Sequence, residues 1–124
     1  MVMTWKDLEV WQRAHALVLR VYKLVATFPQ EERFRLVDQL CRSAMSVPAN
    51  IVEGQARRTT KEYLRFLYNA RGSIEETRYH LLLAKDVGYL RSEEHLELEA
   101  EYDQVSRMLN ALIQSLQAKL PRRP

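Results

Sequence analysis

Leu8-Glu9-Val10-Trp11-Gln12-Arg13-Ala14-His15-Ala16-Leu17-Val18-Leu19-Arg20-Val21-Tyr22-Lys23-Leu24-Val25 runs for eighteen residues without a glycine or a proline. Its apolar positions recur at spacings of three and four, which is the period of a helix with one buried face. Two such series interleave. Leu8, Trp11, His15, Val18, Tyr22 and Val25 form one seam; Val10, Ala14, Leu17, Val21, Leu24 and Phe28 form the other. A helix that packs only inside one bundle needs an apolar stripe of roughly 100°. Two adjacent seams give a wider arc, and we read the second as facing a neighbouring subunit, with Val10, Leu17, Val21 and Leu24 as the candidate oligomer interface. The alternative is a large core that simply uses a wide face.

The rest of the chain repeats the pattern between well-placed breaks. Phe28-Pro29-Gln30, Arg57-Arg58-Thr59 and the segment from Gly88 to Ser92 divide it into four stretches, 6–28, 31–56, 60–87 and 93–119. None shows strand-like alternation, so the expected fold is all-α. Short connections between long helices favour an antiparallel up-down-up-down four-helix bundle. The second stretch carries the seam Phe34, Val37, Cys41, Ala44, Pro48 and Ile51. Pro48 lies inside it, removes one backbone hydrogen bond and predicts a kinked helix. Pro48, Asn50, Glu53 and Gly54 form the kink motif, in which Asn50 or Glu53 satisfies backbone groups freed by the proline or lines a small polar pocket. The third stretch opens with Thr59-Thr60-Lys61-Glu62, a capping box, and closes at Gly88, suited to a left-handed cap. Ala70, Gly72 and Ser73 promise close approach of a neighbouring backbone. Ser92 is the expected N-cap of the fourth helix, with Glu93 and Glu94 in its first turn.

Length sets the domain count. The 124 residues suit one domain, since a domain takes about 100–200; we assign 1–120 to the bundle and 121–124 to a short tail. No apolar leader follows a positive cluster at the start, and the longest aliphatic run, Leu81 to Ala84, is far short of the roughly 20 residues of a membrane helix. A cytoplasmic protein without membrane contact is the expectation. One cysteine, Cys41, excludes an intrachain disulfide.

The sequence offers little chemistry. Di-metal sites in bundles need Glu-x-x-His motifs on two helices, and none occurs, so no metal, no cofactor and no catalytic residue is assigned. His15, on the first seam, reads as a hydrogen-bonded core histidine, Cys41 as a small core residue, and Glu76 with His80 as a surface ion pair.

Charge is the one feature that points outward. Lys+Arg number 19 against 16 Asp+Glu, and arginine outnumbers lysine fourteen to five; arginine suits bidentate phosphate contacts. From Arg57 to Arg91 eight basic residues face four acidic ones, whereas Ser92 to Asn110 holds six acids and one arginine. Arg57, Arg58, Lys61 and Arg65 are the candidate nucleic-acid-binding residues, the last three at spacings of three and four on one helical face. The competing reading pairs them with the acidic start of the fourth helix, or across subunits.

Several stretches also carry a family resemblance. Asp7 to His15, Phe28-Pro29, Gln39-Leu40-Cys41-Arg42-Ser43-Ala44, Ser46-Val47-Pro48-Ala49-Asn50-Ile51-Val52-Glu53-Gly54, Lys61-Glu62-Tyr63-Leu64-Arg65-Phe66-Leu67, Gly72-Ser73 and Gly88-Tyr89-Leu90 follow one another in order. Together, over roughly residues 5–90, they resemble the bacterial four-helix bundle proteins first noticed as open reading frames inside intervening sequences of 23S ribosomal RNA genes. The resemblance implies a small, cytoplasmic, all-helical protein that assembles into rings of five subunits and has no established enzymatic activity. More distant relatives are accessory proteins of diversity-generating retroelements, in which a basic pentamer binds nucleic acid and a reverse transcriptase; nothing in this sequence marks that branch. RNA or DNA backbone, bound mainly by charge, is therefore one expected partner besides the chain itself. A protein partner served by an oligomeric scaffold is the alternative.

Overall fold

The computed structural model describes residues 4–121, so all but Pro121 of the expected tail lies outside the described residues. The described residues form four α-helices: α1 Glu9–Val25, α2 Leu36–Gln55, α3 Thr60–Asp86 and α4 Ser92–Gln117. No strand occurs among the described residues. Bonded positions run in opposite senses along neighbouring helices. Tyr68, Arg71 and Arg78 of α3 meet Gln117, Asn110 and Glu99 of α4 in descending order. Ser73 and Thr77 meet Ser46 and Ser43 of α2 in the same way. Leu40, Val47, Ile51, Leu67, Ile74, Leu81, Leu98, Tyr102 and Leu109 are fully enclosed at the centre.

Helix ends differ from the expected ones for local reasons. Residues 5–7 form a short 3-10 turn, held by the Asp7 carboxylate accepting from Thr4 N at 2.9 Å, and Leu8 is extended, so α1 starts at Glu9. A second 3-10 turn, Gln30–Glu32, follows Pro29, and Arg35 leaves helical dihedrals before α2 starts at Leu36. Glu32 anchors that turn. Its buried carboxylate accepts from Tyr89 Oη at 2.8 Å and from Arg35 at 3.1 and 3.2 Å. The Tyr89 hydrogen bond holds the Glu32 carboxyl below its ordinary range against the opposing effect of burial, with Arg35 adding to the depression. The same contact, together with burial, pushes the Tyr89 phenol up.

Because residues 33–35 belong to neither helix and Arg35 takes φ −120° and ψ −105°, the apolar phase read through Phe34 slips. Phe34 is 83% exposed instead of lying on the core seam. α4 begins at Ser92 itself, with Arg91 rather than Ser92 at the N-cap and no side-chain capping bond. The other caps form. Thr59 Oγ1 accepts from Glu62 N at 3.1 Å and donates to Glu62 Oε2 at 3.3 Å. Gly88 has φ +91°, with Tyr89 N donating to Ala84 O and Gly88 N to Lys85 O, a Schellman closure.

The two seams of α1 exchange roles. Val10, Leu17, Val21 and Leu24 belong to the protomer's own core, Val21 at 0% exposure. They are therefore not available to a neighbouring subunit, and the expected interface residues are corrected to core residues. The other seam is outward only in part: Val18 is buried, and Leu8, Trp11 and Val25 are half-buried against the core. Tyr22 is 50% exposed, and His15 is exposed and stacked on Trp11, with ring centroids 5.0 Å apart and 6° between planes. His15 is thus not a core histidine. The spacing of each seam is equally helical, so only the docking of α2 and α4 selects between them.

α2 continues unbroken across Pro48, and the motif after it disperses. Pro48 is buried on the α1 side, near Trp11, His15 and Met45. Asn50 Nδ2 donates back to Ser46 O at 2.8 Å and Ser46 Oγ at 2.9 Å, whereas the carbonyl that lacks a donor because of the proline ring is that of Ala44. Glu53 is exposed and reaches only Arg57, at 4.0 Å. Gly54 is where α2 comes closest to α3: a Cβ there would stand 2.9 Å from Tyr63 Cδ1, 3.1 Å from Phe66 Cβ and 3.2 Å from Tyr63 O. Of Ala70, Gly72 and Ser73, the expected close approach, Ala70 is fully buried and Ser73 meets Ser46 of α2, but a Cβ at Gly72 meets nothing within 4 Å.

Candidate nucleic-acid interface

Arg57 and Arg58 lie in the turn after α2, and Lys61 and Arg65 follow on the first turns of α3. The Thr59–Glu62 cap fixes where that helix starts and so sets the phase of the two later cations. All four side chains are exposed. Phe66 lies beneath two of them, with Arg57 Cζ 4.6 Å and Arg65 Cζ 4.8 Å from its ring centroid. A guanidinium held over an aromatic face keeps its edge and its N–H donors directed outward. The structure thus brings the four expected residues together at one end of the α2–α3 pair and orders two of them on a shared ring, a support that spacing alone did not reveal.

Two of the acids expected to neutralise this cluster are engaged elsewhere. Glu97 pairs with Arg20 of α1 at 2.7 Å, and Glu99 pairs with Arg78 of α3 at 3.0 Å. Hydrogen bonding to Glu99 raises the Arg78 guanidinium above its ordinary range. Because α4 descends as α3 ascends, its acidic first turns meet the far half of α3 and not its start. Arg57 touches Glu53 at the limit of an ion pair, and Arg58, Lys61 and Arg65 have no ion pair among the described residues. Pairing within the protomer does not account for the cluster.

Two features escaped the sequence reading. Tyr68, one turn beyond Arg65, is 39% exposed, carries Arg71 Cζ 5.1 Å from its ring and accepts from Gln117 Nε2 at 2.9 Å. Its i+3 spacing from Arg65 was the available signal. Between α2 and α3 an open polar groove of ≈ 330 Å³ is lined by Gln39, Arg42, Ser43, Ser46, Ser73 and Glu76. Its hydroxyls bond one another: Ser73 Oγ donates to Ser46 Oγ at 2.9 Å, and Ser43 Oγ and Thr77 Oγ1 lie 2.9 Å apart. The groove is a helix–helix seam, and the four residues of the proline motif do not converge on it.

Chemically reactive groups are dispersed. No three His, Cys, Asp or Glu side chains gather as a metal site among the described residues. Burial, and secondarily the Asp38 charge, pushes the half-buried Cys41 thiol up, away from the thiolate. His80 Nε2 lies 3.3 Å from Glu76 Oε2, the pairing expected from their spacing. No helix among the described residues is long and apolar enough to cross a membrane.

Comparison with known proteins agrees with this architecture. A family model described as 23S rRNA-intervening sequence protein matches residues 6–111. Among solved structures, the chain is similar to a protein of unknown function from the S23 ribosomal protein family of Bacteroides thetaiotaomicron, determined at 1.70 Å. The TM-score is 0.79 and the identity 23%, over 85% of this chain and 95% of that one. At that identity the likeness is one of fold. A search of curated proteins finds no match.

Proposed function

The chain belongs to the 23S rRNA-intervening sequence protein family, and on that premise we propose that it is a non-enzymatic, cytoplasmic homo-oligomer, a pentamer in our reading, that holds RNA or DNA by its phosphate backbone. Arg58, Lys61 and Arg65 supply the charge, and Arg57 joins them across the Phe66 ring. The observation that carries this reading is that three cations sit exposed on adjoining turns without an acidic partner. Oligomerisation multiplies a weak patch, and phosphate binding by charge falls steeply with salt. The outward seam of α1, with Trp11, His15 and Tyr22, supports assembly in place of the seam first assigned to it.

Replacing Arg58 and Lys61 by Glu tests the proposal. Retention on heparin or on an RNA column is lost while mass by light scattering stays unchanged; unaltered retention rejects it. A second reading, a scaffold for a protein partner, draws on exposed Leu19 and Leu96. Pull-down from native lysate with and without nuclease separates the two, since a protein that remains after nuclease favours the scaffold.

A further inference from the structure

Phe34 is the most exposed of the large apolar side chains in the described residues, at 83%. Only the Arg33 guanidinium covers it, with Cζ 5.3 Å from the ring centroid. Isolated exposed apolar residues are ordinary, but this one stands where the chain turns into α2, beside a feature that complements it. A groove of ≈ 420 Å³ lies between α2 and α3, walled mainly by Leu36, Tyr79, His80, Leu83 and Val87, with the Glu32–Arg35 pair at one end. Its walls are mostly apolar, and Tyr79 and Val87 stand exposed at its mouth. A phenyl ring fits this volume.

The chain does not fill its own groove. Arg35 and Leu36 line it, but Phe34, the residue before them, does not. Arg33 instead lines a cleft with Val25, Ala26, Phe28 and Val37, which places the projecting turn on the α1–α2 side. The knob and the groove are therefore two different surfaces of one protomer. The acids nearest the groove along α3 already have partners, Glu76 with His80 at 3.3 Å and Asp86 with Lys85 at 3.9 Å, so the match is one of shape and apolar surface. Contacts between two unlike surfaces of the same chain are head-to-tail, and they close into rings or extend into filaments.

We propose that Phe34 of one subunit seats in the α2–α3 groove of the next. The proposal rests on the oligomer reading above and names the contact that builds it. The experiment uses the full chain with Cys41→Ser, Arg33→Cys and Val87→Cys, so that Phe34 is kept, treated with a short bis-maleimide and run on a denaturing gel. A ladder of covalently joined chains is expected from the double variant, with neither single variant producing it. In parallel, Phe34→Asp is expected to lower the mass by light scattering at least twofold with helicity unchanged, and Phe34→Leu to preserve it. An oligomer that keeps its mass in Phe34→Asp and gives no ladder overturns this contact while leaving the oligomer standing. A parent protein that is monomeric at micromolar concentration overturns both.

Discussion

Two glycines give opposite outcomes for the same added methyl group. Gly54→Ala introduces a Cβ 2.9 Å from Tyr63 Cδ1 and 3.1 Å from Phe66 Cβ, and 3.2 Å from the Tyr63 carbonyl oxygen. The tyrosine ring can swing aside, but the carbonyl belongs to α3 and moves only with the helix. Overpacking of this kind costs about 1–3 kcal/mol, against about 1 kcal/mol gained by placing alanine for glycine in a helix. The net is a loss of about 1 kcal/mol. Gly72→Ala meets nothing within 4 Å in mid-α3, so it keeps the helical gain of up to ~1 kcal/mol. The two variants should differ by about 2 kcal/mol in urea unfolding, with equal m-values. Gly54→Ala also shifts Phe66, on which Arg57 and Arg65 rest, and should elute earlier from heparin than Gly72→Ala. Stabilisation by both substitutions would refute the close approach of α2 and α3.

Other consequences follow from single contacts. The Glu32 carboxyl is held low mainly by Tyr89, so its contribution is fully present above the ordinary carboxylate pKa of about 4.3 and is lost as pH falls through the depressed folded value. Urea midpoints measured from pH 7 to 3 should fall less steeply in Tyr89→Phe than in the parent; parallel curves contradict the contact. Tyr102 is enclosed with its hydroxyl unbonded, and burial pushes its phenol up. Because an unmade buried hydrogen bond costs about 1–3 kcal/mol, Tyr102→Phe should raise stability by about 1 kcal/mol, and a clear loss would mean that the hydroxyl has a partner. Val21→Glu places a charge in the protomer core and should unfold the chain, as read by circular dichroism, and not merely dissociate it.

Spacing along the chain was sufficient for some of this. The breaks at Pro29, Thr59 and Gly88, the Thr59 cap and the left-handed Gly88 are local properties, set by backbone sterics and by a 3.6-residue period. The candidate cluster was legible in the same way, because Lys61 and Arg65 share a face of a helix whose start is marked and Arg58 lies in the turn just before it. Their lack of an acidic partner was not, since it depends on which half of α3 the first turns of α4 reach.

Periodicity states that a helix has an apolar arc but not where its neighbours stand around it. α1 therefore carried two equally good seams, and only packing against α2 and α4 put Val21 inside and Tyr22 outside. Phe34 was misplaced for a related reason. The turn before α2, pinned where Tyr89 from far along the chain meets the Glu32–Arg35 pair, breaks the helical phase at Arg35. Short-range sterics and period are written in the order of residues; the choice among equivalent faces, and the partner of each charge, arises only when distant segments exclude water from one another.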